Sequence, residues 1–208
     1  MACRVDDLHD RRAAGLSTPP RWAAPRFGSV ALSDDRPPGA AILANWSRFR
    51  RFPGGERIFS RVIGWQTPYS GSIGAIVREL EPGRAVVWLR DRRSVRNHLD
   101  SIHAVALTNL GELASGLALV TDLPAGSRAI VTGLQVEFLK KARGRLVATG
   151  RAEAPERSVL DSGSVACVAR AEIRDLEGDV VATVRADWQI GLAVPAPPPP
   201  LTDTGDSG

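Results

Sequence analysis

Residues 96–120 read RNHLDSIHAVALTNLGELASGLALV, and this stretch decides the fold. From Ile102 onward it contains no proline and a single charged residue, Glu112, so a helix here is apolar on nearly every face. Such a helix is normally buried, and its interruption by His103 and Asn109 argues against a membrane span. A buried carboxylate is costly unless it is paired or functional. Glu112 is therefore the residue that has to be explained.

The segments around this helix predict mostly strands. A short amphipathic helix is expected at 41–52, whereas segment 58–65 fits no single pattern. Strand propensity and turn signals predict six strands, at 72–80, 84–90, 128–139, 145–153, 164–173 and 179–190. One face of strand 128–139 is expected to carry the alternating residues Ile130, Thr132, Leu134, Val136 and Phe138.

The predicted fold class is α+β. A helix, two strands, the central helix and then four strands in a meander imply an antiparallel sheet curled around that central helix. Tight turns are expected at Arg143-Gly144 and Glu177-Gly178. Scattered charges and prolines in residues 1–40 predict a disordered extension, and residues 191–208 predict a disordered Pro-rich tail. The folded domain is placed at 41–190.

Composition narrows the functional classes. The 208 residues carry 27 Lys and Arg against 23 Asp and Glu, but the basic residues are scattered and aromatic residues make up only 5%. This argues against a nucleic-acid partner. Cys3 and Cys167 are the only cysteines, and the three histidines lack zinc-site spacing, so neither a disulfide framework nor a metal site is expected. Without a signal-peptide core near the N-terminus, we predict a cytoplasmic protein with no membrane insertion.

The element order and the loop leading into the central helix resemble the hotdog fold. The closest match is to small acyl-CoA thioesterases of the phenylacetate-pathway type, and to a little-characterised bacterial branch of that family. Their motif is an Asn, a His six residues later that begins the helix as His-Gly-Gly, and an Asp or Glu nine residues further on. Asn97, His103 and Glu112 stand at those offsets. The sequence departs from the motif at Ala104-Val105, which replaces the two glycines.

The resemblance implies hydrolysis of an acyl-CoA thioester, with the CoA moiety as part of the substrate and no separate cofactor. The first glycine of the motif donates its N–H to the thioester oxygen, so Ala104 is the candidate oxyanion donor at the positive end of a helix. Glu112 is the candidate general base or nucleophile, two roles that the sequence does not separate. Asn97 would orient the water or the carboxylate. Paired with an arginine or capped by local donors, Glu112 would instead be structural.

The residues near this motif can be assigned roles in the substrate site or in capping the helix. His103 either orients the thioester carbonyl or caps its own helix. Asp100 and Ser101, just before the helix, are expected to cap its N-terminus, and His98 is expected to be a solvated neighbour. In related thioesterases a Ser or Thr reaches the site from the strand after the helix, and Thr132 is the candidate for that position.

Four basic residues are expected on a hairpin beyond the central helix: Lys140, Lys141, Arg143 and Arg145. In the resembling enzymes such a hairpin lies near the CoA phosphates, which makes these residues candidates for binding them. The alternative is that the charges protect a sheet edge from pairing with other chains.

Helix geometry predicts a homodimer. Glu112 lies nine residues after His103, which is about 13 Å along a helix axis and about half a turn away in direction. One helix therefore cannot present Ala104 and Glu112 to the same carbon atom, whereas two antiparallel helices about a two-fold axis can. We expect Asn97 and Ala104 of one chain to face Glu112 of the other, in a dimer or a dimer of dimers.

The favoured function is an acyl-CoA thioesterase. The first alternative is a non-catalytic hotdog protein that binds acyl-CoA or lipid, which the loss of the Gly-Gly pair at Ala104-Val105 favours. A hotdog hydratase or dehydratase is disfavoured because those sites centre on an Asp-His pair placed differently.

Overall fold

The computed structural model describes residues 36–193, which form five helices and six strands. They are α1 (Ala40–Phe49), α2 (Gly55–Gln66), α3 (Pro68–Gly71), β1 (Ile76–Glu81), β2 (Arg84–Leu89), α4 (Ala104–Asp122), β3 (Ser127–Phe138), β4 (Leu146–Arg151), α5 (Arg157–Leu160), β5 (Val165–Arg174) and β6 (Val180–Leu192). A 3₁₀ turn covers Arg93–Val95. Most of the two segments expected to be disordered lies outside the described residues, while β6 runs two residues past the expected boundary at 190.

The six strands form one antiparallel sheet in the order β1-β2-β4-β5-β6-β3. The predicted α+β class is therefore confirmed, with α4 packed mainly against β4, β2 and β5. The predicted four-strand meander is confirmed for β4, β5 and β6 but is wrong for β3, which pairs with β6 instead of β4. The backbone of β2 is buried and needs a partner along its second edge. β4 supplies this partner with one edge and pairs with β5 along its other edge, so no edge of β4 is left for a hairpin with β3.

The central helix is almost as predicted. α4 begins at Ala104 because Ile102 is held in an extended bridge to Arg96 and donates its N–H to the carbonyl of Ala142. Glycine lets the helix approach the sheet closely: a Cβ on Gly150 of β4 would collide with the backbone of Ala114. In length and composition α4 could cross a bilayer, but 67% of that apolar window is buried inside the fold. It is the core helix.

The ambiguous segment 58–65 is part of helix α2. Phe59 and Ile63, four residues apart, face the core, and the Phe59 ring packs edge-on against Trp46 of α1 with centroids 5.1 Å apart. Pro68–Gly71 forms the short helix α3, so the strand expected from residue 72 begins only at Ile76. The Ser60 hydroxyl accepts a hydrogen bond from the N–H of Val77 at 2.8 Å and joins α2 to β1.

The alternation predicted for strand β3 is broken by a bulge. Val131 pairs with Trp188 and Gly133 pairs with Asp187, so Thr132 is the extra residue. An extra residue reverses which face the following side chains occupy. Ile130 therefore lies on the face opposite to Leu134, Val136 and Phe138, and the predicted single face is wrong at Ile130.

Candidate active site

Asn97 organises the loop that precedes α4. Its Oδ1 accepts hydrogen bonds from the N–H of Leu99 at 2.9 Å, the N–H of Ser101 at 3.3 Å and the Ser101 hydroxyl at 3.1 Å. Asp100 sits in this tight turn with φ of 53°. Because Asp100 and Ser101 serve the turn, they do not cap α4, and that prediction is wrong. Within residues 36–193, the Nδ2 amino group of Asn97 has no acceptor and can serve a ligand.

His103 caps α4 with its side chain. Its Nδ1 accepts the Val105 N–H at 3.1 Å, and its carbonyl accepts the N–H groups of Ala106 and Leu107. A neutral His103 therefore carries its proton on the exposed Nε2. The Ala104 N–H is not used by any described acceptor. The start of α4 thus offers one unused backbone donor at the positive end of the helix dipole.

Glu112 lies two turns further along α4 and is half-buried. Burial raises the pKa of its carboxyl group, and no hydrogen bond or opposite charge offsets this effect. A Cβ placed on Gly116 would lie 3.6 Å from Glu112 Oε1 and 3.5 Å from the Trp188 ring. Trp188 of β6 pairs with Val131 of β3. The carboxylate therefore faces the β6–β3 side of the sheet, and it has no hydrogen-bond or ion-pair partner within residues 36–193.

Within one chain these groups stay apart. Asn97, His103 and Ala104 gather at the N-terminus of α4, whereas Glu112 projects from its middle, eight residues after Ala104. That separation is about 12 Å along the helix axis. Within one chain, the unused N–H at the start of α4 and the Glu112 carboxylate therefore cannot both contact the same substrate atom.

Thr132 occupies the bulge of β3 and is exposed, with its hydroxyl donating to the Asp187 carbonyl at 3.1 Å. It contacts the backbone of β6 rather than the α4 carboxylate. Its suggested role in the reaction stays a prediction.

The four basic candidates are in different surroundings. The Lys140 ammonium lies within 3.1 Å of three carboxylates, those of Asp175, Glu177 and Asp179, and hydrogen bonding to Asp175 first, then to the other two, raises its pKa. Arg145 stacks on the Trp88 ring, 4.9 Å from its centroid. Arg143 donates from Nε to the Asp100 carbonyl at 3.1 Å, and Lys141 is exposed. Only Arg143 is thereby tied to the Asn97 loop.

Sequence reasoning missed the side chain that borders the carboxylate. Alternation along the strand at 179–190 predicts only that Trp188 lies on the apolar face of that strand, whereas in the structure the Trp188 ring and the Glu112 carboxylate both border the space beside Gly116. Its indole Nε1 is buried without an acceptor among the described residues. The available signal was Gly116, four residues after Glu112 on the same helix face, which leaves room for a large ring from the sheet.

Known structures share this arrangement of a sheet and a central helix. A structural-genomics crystal structure is 29% identical, with TM-score 0.62, and the alignment covers 73% of this chain and 98% of the other. A Pseudomonas aeruginosa protein described as a probable thioesterase is 23% identical, with TM-score 0.57 and coverage of 68% and 97%. A thioesterase family protein from Silicibacter pomeroyi is 20% identical, with TM-score 0.54 and coverage of 64% and 96%. The predicted hotdog fold is confirmed.

The chain belongs to the DUF4442 family, described as a domain of unknown function, whose model matches residues 55–190. The match runs from α2 to β6 and includes Asn97, His103 and Glu112. No curated protein matches the sequence significantly. The chemistry of the site therefore rests on its own geometry.

Proposed function

We propose that the protein is a thioesterase that hydrolyses an acyl-CoA to a free acid and CoA. The observation that carries the proposal is the Glu112 carboxylate, which is half-buried on a core helix and has no partner in the described part of the chain. Desolvation of this kind is costly for folding, and it is the usual way to tune a catalytic acid or base. The unused Ala104 N–H supplies the second element that thioester hydrolysis needs.

In the proposed reaction a water oxygen attacks the thioester carbonyl carbon while Glu112 takes the water proton. The negative charge that develops on the carbonyl oxygen is stabilised by the Ala104 N–H. The C–S bond then breaks, the CoA sulfur leaves as a thiolate, and the proton held by Glu112 neutralises it. The free Nδ2 of Asn97 orients the water or the carboxylate. Direct attack by Glu112, followed by hydrolysis of the anhydride, uses the same residues.

A homodimer is proposed because strand β3 is unsuited to solvent. It is a twelve-residue strand at the edge of the sheet, and Leu134 and Phe138 on its α4-facing side are 43% and 51% exposed. A long apolar edge invites pairing with another chain. Pairing β3 with its own copy about a two-fold axis would continue the sheet and cover these side chains. A dimer of dimers would retain that unit.

The same pairing brings α4 of the second chain toward the exposed apolar side of β3. The Glu112 carboxylate of the first chain faces that side as well. We propose that each active site takes Asn97 and Ala104 from one chain and Glu112 from the other, as the 12 Å separation within one chain requires. A two-fold contact then creates two equivalent sites.

The second candidate function is binding of acyl-CoA or lipid without hydrolysis. It is favoured by Val105, which replaces the second glycine of the related motif and is 51% exposed at the start of α4. A branched side chain there crowds the approach to the Ala104 N–H. Two assays on one panel of acyl-CoA thioesters separate the functions: release of CoA detected by a thiol reagent, and calorimetric binding. Binding without release supports the second candidate.

We propose no cofactor besides the CoA part of the substrate, and a cytoplasmic location, where acyl-CoA is available. Neither nucleic acid nor an inserted membrane segment is required by this reaction.

The rate of hydrolysis is expected to rise with pH. Burial raises the pKa of Glu112, and only the ionised carboxylate can accept a proton or attack. The midpoint of kcat/KM against pH should therefore lie above the value of an ordinary Glu, about 4.3. A pH profile measured with a pH-stable acyl-CoA checks this. A rate that falls over the range just above that value would contradict the assigned role.

CoA phosphates are expected to be bound by Lys141 and Arg143. Changing both to Ala should raise KM for acyl-CoA several-fold, most strongly at low salt because the contacts are exposed. Turnover of a pantetheine thioester that lacks the nucleotide should not change. Arg151→Ala with Arg170→Ala, a neighbouring pair on β4 and β5, is the matched control, because neither residue is a candidate for phosphate binding. Equal losses on both substrates would indicate a folding defect and refute phosphate binding.

A further inference from the structure

A cavity of about 1040 Å³ that is open to solvent along one side lies between α2, α3 and the start of β1. Its lining is largely apolar and includes Ile58, Val62, Ile63 and Ala75, and it reaches Leu113 of α4. Pockets for small molecules typically measure about 300–1,000 Å³ and are mostly apolar. The size and lining therefore suit an elongated aliphatic group.

The fold holds the walls of this cavity in place. Gly64 and Gly71 let α2 and α3 touch, since a Cβ on Gly64 would lie 3.0 Å from the Gly71 Cα. Asn109 of α4 donates from Nδ2 to the Tyr69 carbonyl of α3 at 3.1 Å. The Ser60 hydroxyl joins α2 to β1 as described above. A ligand would therefore meet a site that is already formed, which lowers the entropic cost of binding.

The charged residues that line the cavity are all basic. It contains Arg57, Arg61, Arg90 and Arg92 and no acidic residue. Within the described chain the first three form no ion pair, and Arg92 reaches only the Ser72 carbonyl, at 3.4 Å. Within residues 36–193, ion pairs with carboxylates are formed by other arginines, including Arg78, Arg84, Arg96, Arg157, Arg174 and Arg185. Unpaired guanidinium groups beside an apolar space favour a ligand with an anionic group.

Apolar side chains are also exposed at the cavity lining. Trp65 is 90% exposed and Ile58 is 50% exposed, and both line the cavity together with Arg57 and Arg61. A tryptophan beside arginines is the combination expected where a ligand has one apolar and one charged part.

We propose that this cavity binds a single-chain anionic amphiphile, with the aliphatic chain inside and the acid group held by Arg57 and Arg61. The site uses none of Asn97, Ala104 or Glu112, so it stands independently of the thioesterase proposal. A fatty carboxylate and an alkyl phosphate share the required chemistry, and both are included in the test.

The test is calorimetric binding of decanoate, decyl phosphate and neutral 1-decanol, each kept monomeric, to the full chain. Wild type is expected to bind at least one anion more tightly than decanol. Arg57→Gln with Arg61→Gln should weaken anion binding by about tenfold or more and leave decanol binding unchanged. Arg151→Gln with Arg170→Gln, a neighbouring pair on strands β4 and β5, is the matched control and should change neither.

Val62→Trp should reduce binding of all three ligands by filling the cavity, while circular dichroism confirms that the variant is folded. Absence of binding, equal binding of anions and decanol by wild type, or unchanged anion binding in the Arg57/Arg61 variant would overturn the proposal. If the protein co-sediments with anionic vesicles but binds no monomeric amphiphile, the proposal is also overturned. That result would indicate that this face of the protein contacts a membrane surface instead. Glu112→Gln is expected to bind decanoate as wild type does, which separates this result from the hydrolysis tests.

Discussion

Glu112→Gln is expected to abolish hydrolysis, with a loss of about 10³-fold or more, while acyl-CoA binding is retained. The amide is nearly isosteric but can neither accept the water proton nor attack the carbonyl carbon. The measurement is CoA release by the variant compared with calorimetric binding of the same acyl-CoA. Glu172→Gln, on the solvent side of β5, is the matched control, because its exposed ion pair with Arg174 contributes little.

The same variant should be at least as stable as wild type at neutral pH. Because burial raises the pKa of Glu112, folding favours the protonated carboxyl group, and this stabilisation is lost as pH rises through the folded-state pKa. Gln cannot ionise and avoids that loss, which denaturant unfolding at pH 5 and pH 8 can measure. Turnover near the wild-type rate would remove Glu112 from the mechanism. A large loss of stability would show that the carboxylate is structural.

Mixing two inactive proteins should restore activity if the site is shared between chains. In a heterodimer of Asn97→Ala and Glu112→Gln, one site combines both changes and the other has neither. Random exchange makes half of the dimers heterodimers, so activity should recover to about a quarter of the wild-type value. Each variant alone should stay inactive, and native mass spectrometry can follow the exchange.

The control for this experiment is Glu112→Gln mixed with Glu112→Gln carrying a mass tag, which should exchange equally and remain inactive. Proven exchange without recovery of activity would contradict the shared site. Full activity in a species that sediments as a monomer would contradict it as well.

The sequence predicted α4 well because its signal is local and strong. An apolar run of this length is a poor strand and a poor surface helix, so burial as a core helix follows almost directly. Glu112 stands out as the single carboxylate of that run, and the resemblance to the thioesterase motif implies roles for Asn97 and His103, which stay predictions. The structure adds that His103 caps the helix and that the Ala104 N–H is left unused.

Pairing between distant strands was not predictable in the same way. The turn signal at Arg143-Gly144 suggested that β3 and β4 are neighbours, but the need of β2 for a partner prevails, and no local pattern reports it. The bulge at Thr132 cannot be predicted from the sequence either, because the pattern of apolar residues at every second position continues past Thr132 although the side chains change faces there. The Trp188 ring and the Glu112 carboxylate both border the space beside Gly116 only because α4 packs on β6, and that packing depends on the whole sheet.

The position of β4 has a consequence for how the chain is made. β2 can pair along its second edge only after β4 has been synthesised, because Arg84 at the start of β2 pairs with Arg151 at the end of β4. When α4 has been synthesised, four of the six strands are still missing, and the edge of β2 has open hydrogen-bonding groups. Contacts this distant in sequence slow folding and prolong exposure to aggregation. The nascent chain is thus most vulnerable between the end of α4 and the completion of β4.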